Sequence, residues 1–161
     1  MNREMGMMLA VGFVGSLFLG GCAGKEAHPD IVIERYEDRS IRSSTSWIDG
    51  KVDGTALQWY ADGTLMERRS YSAGMKQGLH EGWWEDGSPR FRYTFRDDMH
   101  EGEAREWFPN GRLYRAFNYV AGREEGEQIM YYEDGSVRAN YFVVDGRRYG
   151  SIGTKPCRTE E

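Results

Sequence analysis

The chain repeats itself every 24 residues. The phrase Trp83-Trp84-Glu85-Asp86-Gly87 returns as Trp59-Tyr60-Ala61-Asp62-Gly63, Trp107-Phe108-Pro109-Asn110-Gly111 and Tyr131-Tyr132-Glu133-Asp134-Gly135. A second glycine column runs through Gly54, Gly78, Gly102, Gly126 and Gly150. A third runs through Gly50, Gly74, Gly122 and Gly146, with Asp98 in the missing place. A fixed period of roughly 20–50 residues marks a repeat architecture, in which each copy buries its apolar face against its neighbours. The columns hold without a gap, so the copies are one structural unit used repeatedly.

That unit reads as a β-hairpin. Asp-Gly or Asn-Gly between apolar runs is the strongest short-range hairpin signal, because these residues accept positive φ at little cost. A tight turn would pair Tyr60 with Leu65. Alternation then groups Tyr60, Leu65 and Tyr71 on one face, and in later copies Phe91, Tyr93 and Phe95, then Leu113, Phe117 and Tyr119, then Val137, Tyr141 and Val143. The second turn aromatics, Trp84, Phe108 and Tyr132, fall on the same face. Burying one such ring contributes about 1.5–3 kcal/mol before entropy. A lone hairpin is marginal in water, but several side by side are not.

The opposite face is expected to carry Trp59, Trp83, Trp107 and Tyr131, with Arg68, Arg90, Arg92 and Arg138 around them. Aromatic rings and arginines are enriched where proteins bind one another. Trp59, Trp83, Trp107, Tyr131, Arg90 and Arg92 are therefore the candidate contact strip; the other reading is a second, thinner packing face. Short Gly-x-x-x-Gly segments, such as Gly74 to Gly78, are read as loops joining the hairpins. Ile31 to Trp47 is a degraded opening copy with Arg39 in the turn-glycine place, and end copies of an array are expected to be atypical. The fold class expected is all-β, an elongated antiparallel sheet of stacked β-hairpin repeats over residues 31–150.

An aromatic pair, Asp/Asn-Gly, a later aromatic and Gly-x-x-x-Gly together resemble the MORN repeat, in the variant common in bacterial lipoproteins and in proteins labelled MORN-type antitoxins. The resemblance implies an elongated, twisted antiparallel sheet of hairpins and a role in protein scaffolding.

Before the array, residues 1–21 have the form of a secretory signal. Arg3 supplies a short charged region, and Met5 to Leu19 is uncharged. Leu19-Gly20-Gly21-Cys22 resembles the lipobox of bacterial lipoproteins. The resemblance implies cleavage before Cys22 and acylation of that residue, whose thiolate is a natural nucleophile. An uncleaved membrane helix is the competing reading, and its many glycines weigh against it. Residue 23 is alanine rather than aspartate, which by resemblance to enterobacterial lipoproteins points to the outer membrane. Residues 22–30 form the lipidated cysteine and a polar tether, and residues 151–161 a polar tail holding Cys157. If Cys22 is lipidated, Cys157 has no partner within the chain, and a bond between chains or a free thiol remain open.

No catalytic constellation emerges. His80 and His100, the two histidines within the array, share no repeat column, and neither they nor His28 have ligands at metal spacing, so no metal is expected, and His80 and His100 are placed in or beside exposed loops. A net charge of −5 without a basic patch argues against nucleic acid. No cofactor is expected beyond a covalent lipid on Cys22. The functional expectation is a lipid-anchored envelope protein, not an enzyme, that binds or scaffolds a protein partner. The alternatives are the antitoxin or immunity protein of a toxin–antitoxin pair and an envelope-glycan binder.

Overall fold

The computed structural model describes residues 28–151. The expected signal, Cys22, the expected tether up to residue 27 and Cys157 lie outside the described residues.

Thirteen strands form one antiparallel sheet. They are β1 (Asp30–Arg35), β2 (Ile41–Ile48), β3 (Lys51–Trp59), β4 (Leu65–Ser72), β5 (Met75–Lys76), β6 (Gly78–Trp83) and β7 (Pro89–Arg96). Then come β8 (Met99–His100), β9 (Gly102–Trp107), β10 (Leu113–Val120), β11 (Arg123–Tyr131), β12 (Val137–Val144) and β13 (Arg147–Ser151). The strands lie side by side in chain order, with β5 and β6 sharing the edge of β4, and β8 and β9 the edge of β7. The all-β, antiparallel hairpin array expected from the period is the fold observed.

Two turn types alternate. At the aromatic turns the backbone closes a three-residue loop: Tyr60 N–H donates to Thr64 O at 2.9 Å and Gly63 N–H to Tyr60 O at 3.0 Å. The Asp62 carboxylate accepts from Thr64 N at 2.8 Å, which is why aspartate precedes the glycine. This loop is one residue longer than a tight turn, so Leu65 pairs with Trp59 and not with Tyr60. The extra length is absorbed by a bulge at residues 66, 90, 114 and 138, where the register shifts by one.

The second turns are tighter. Ala73-Gly74 has φ of 50° and 90°, and Asp97-Asp98 has 49° and 65°, so both central residues are left-handed as a type I′ hairpin requires. Asp98 thus takes the glycine's conformation. The Gly-x-x-x-Gly segments are therefore not loops. Lys51 to Gly54 lie inside β3, and the hairpins merge into one continuous meander.

Pairing defines two faces. Ser43, Gln58, Glu67, Gly82, Phe91, Glu106, Arg115 and Met130 are register partners in succession and share one face, termed inner. The buried core sits here: Phe95, Ala104, Phe117, Tyr141 and Val143, with Glu67, His80 and Gln128 among them. Leu65, Leu113 and Val137 pair with Trp59, Trp107 and Tyr131. The bulge sends them to the outer face, against the expectation that they would join the core.

Candidate functional site

On the outer face, Trp59, Trp83, Trp107 and Tyr131 recur at the same strand end, each half-buried. The Arg68 guanidinium lies over the Trp83 ring at 5.9 Å and pairs with Glu81. Arg92 Nε lies 3.9 Å from Glu81 Oε1 and is exposed. Around Trp107, Arg92, Thr94, Glu103 and Arg105 frame a shallow depression. Rings thus recur along one side of a single-layered sheet, with guanidinium groups beside Trp83 and Trp107.

Arg90 does not belong to this strip. It is the bulge residue, so alternation fails at that point and its side chain turns to the inner face. There it pairs with Glu67 and sits 5.6 Å from the Trp84 ring and 5.2 Å from the Phe91 ring. Arg138 is its counterpart 48 residues on, 5.8 Å from the Tyr132 ring. It too leaves the strip for the inner side.

The inner face opens into a groove of about 630 Å³ over the central repeats. Trp84, Phe91, Phe108 and Tyr114 supply its rings, and Lys76 and His100 lie toward the second-turn end. Gly82 makes room for it. A Cβ there would fall 2.2 Å from the Phe91 ring, so the ring lies directly on the backbone of β6. Phe91 stacks on Tyr93 at 4.7 Å, and Tyr93 donates its hydroxyl to Glu106. Burial, and then the Glu106 carboxylate, push the Tyr93 hydroxyl well above its ordinary pKa.

Sequence reasoning missed the two histidines. His80 is in β6 and 2% exposed, with Nε2–H donating to Ser70 O at 2.8 Å. His100 is in β8, half-buried, 4.3 Å from the Phe95 ring and 4.9 Å from the Tyr119 ring. Burial lowers both imidazole pKa values, and for His100 the Lys76 and Arg115 charges add to the effect. One signal was available. Gln128 stands 48 residues after His80, is fully buried, and donates to Asn118 O at 2.9 Å, the same bond in a later repeat. Two of the four copies fill this column with a donor, His80 and Gln128, and the other two with alanine, Ala56 and Ala104.

No group of His, Cys, Asp and Glu among the described residues is arranged to hold a metal ion. Among them, also, no helix is long and apolar enough to cross a membrane.

The architecture defines the class, a β-hairpin repeat array presenting two long faces. Residues 52–73, 101–121 and 124–142 match the family model of the MORN repeat variant, so the chain carries MORN-variant repeats. No curated protein matches the chain.

Proposed function

We propose that the protein is a binding or scaffolding module of the cell envelope that holds a protein partner on its outer face. The observation that carries this reading is the outer strip. Trp59, Trp83, Trp107 and Tyr131 stand in line at one repeat interval, with Arg68 and Arg92 beside them and no second layer of described residues over them. Such rings gain most when a partner removes the remaining water from them. Leu19-Gly20-Gly21-Cys22 supports anchorage at the outer membrane through acylated Cys22. Each buried methylene of an acyl chain contributes about 0.8 kcal/mol, so more than one chain holds a protein firmly.

The test is purification after crosslinking in cells, with the Trp83→Ala/Trp107→Ala variant alongside. One dominant protein partner, lost in a folded variant, supports the reading. A partner retained by the variant, or retention on cell wall with no protein partner, overturns it. For the anchor, Cys22→Ser should release the protein from the membrane fraction; persistence there at high salt contradicts it.

A further inference from the structure

The inner groove departs from the repeat in a way the fold does not require, and the repeat supplies its own control. Positions 67, 69 and 71 on β4 are Glu, Arg and Tyr; the equivalents 139, 141 and 143 on β12 are Ala, Tyr and Val. Both triplets sit on the same face in the same register. The β12 triplet shows that uncharged side chains satisfy the architecture. Charges in a half-buried face destabilise unless paired, and local rules are broken mainly at functional sites.

The polar balance of the groove says what it lacks. Both of its carboxylates are already taken: Glu67 by Arg69 and Arg90, Glu106 by Arg115 and the Tyr93 hydroxyl. The Lys76 ammonium has no carboxylate partner among the described residues and lies 5.1 Å from the Phe95 ring. Three more nitrogens of lining residues, Arg69 Nε, Trp84 Nε1 and His100 Nδ1, are buried with no hydrogen-bond partner. The neighbouring turns show the contrast: Tyr36 and Tyr60, at the positions equivalent to Trp84, each donate to a backbone carbonyl of the next repeat. The groove therefore has rings to stack on, a spare positive charge, and buried nitrogens without partners, of which Arg69 Nε and Trp84 Nε1 are donors without acceptors. A volume of about 630 Å³ lies within the roughly 300–1,000 Å³ of small-molecule sites.

The geometry points to a second binding site in this groove, for a small anion that carries a flat ring, of the aromatic carboxylate class. The ring packs among Trp84, Phe91, Phe108 and Tyr114, and the carboxylate faces Lys76 and His100. A cation of the same shape is disfavoured, because both glutamates are already neutralised. The site lies on the face opposite the protein-binding strip and does not depend on that reading.

The test uses the full chain, labelled with nitrogen-15, titrated with 4-hydroxyphenylacetate and separately with tyramine, which has the same ring and the opposite charge. The expected result is a saturable shift of the Trp84 indole N–H with the acid and none with the amine. Lys76→Gln should weaken the acid by about tenfold, as loss of one charge-assisted contact does. Lys76→Arg should retain binding, which separates lost charge from lost fold. Absence of a saturable shift overturns the proposal. So does equal binding of tyramine, an unchanged affinity in Lys76→Gln, or a response confined to the outer-face Trp83.

Discussion

Single residues carry two of the most specific consequences. Gly82 is the only side chain size that lets Phe91 lie against β6. Gly82→Ala should displace the ring, disrupt the groove and cost about 1–3 kcal/mol, the range for overpacking a close contact. Urea denaturation measures the cost, and loss of the Phe91–Tyr93 contact by NMR confirms the mechanism. His80 and His100 give a pH dependence whose sign is fixed. Their folded pKa values lie below the unfolded value of about 6.5, so the unfolded state takes up protons first. Their stability contribution is full above about pH 6.5 and is lost as pH falls below it toward the folded values. The positive groups facing them, Arg69, Lys76 and Arg115, add to the loss, and Glu106 opposes it at His100. His80→Gln should keep the bond to Ser70 O, as Gln128 does to Asn118 O, and should flatten part of this acid slope in melts recorded from pH 7 to pH 5. An unchanged slope would show that His80 does not titrate within the core.

At the scale of the element, the hairpin was readable and its faces only partly so. The turn dipeptides report a backbone need, positive φ, and Asp98 and Arg39 meet it at 65° and 72° where glycine is absent. That need is local, so spacing alone exposes it. Arg39→Gly should accordingly stabilise the opening hairpin, by up to about 1 kcal/mol, since left-handed backbone costs a non-glycine residue about 1–2 kcal/mol and glycine returns part of that as entropy. The bulge was not readable. It follows from a three-residue loop feeding a ladder whose other end closes with a two-residue turn, a mismatch that no side chain announces. Counting by twos across it sent Arg90 to the wrong face, and Leu65, Leu113 and Val137 with it. Adjacent aromatic turns are also tied together: Tyr36 and Tyr60 donate to Trp59 O at 2.7 Å and Trp83 O at 2.9 Å. Tyr60→Phe should cost about 0.5–1.5 kcal/mol, the net value of one such bond, read from chemical denaturation.

For the whole molecule, each strand is hydrogen-bonded through its backbone only to its immediate neighbours, so stability spreads largely as a sum of repeat and interface terms along the array. The period of the sequence contained that architecture because every copy solves the same packing problem. The groove was hidden for the opposite reason. It depends on residues from different copies meeting across strands, Glu67 with Arg90 and Tyr93 with Glu106, and on a glycine in only one copy, Gly82, opposite Phe91 in the same hairpin. None of these contacts recurs at the repeat interval. The outer strip was visible because it is periodic, and the structure keeps its four aromatic members and Arg92. The central claim, that this strip holds a protein, is tested most directly by a photocrosslinking amino acid placed at Arg92 on the outer face, in growing cells, with Val144 as a reference at the far end of the sheet. A discrete adduct with one protein from position 92, absent from position 144, is the result predicted. No adduct from position 92, or the same adducts from both, would contradict it.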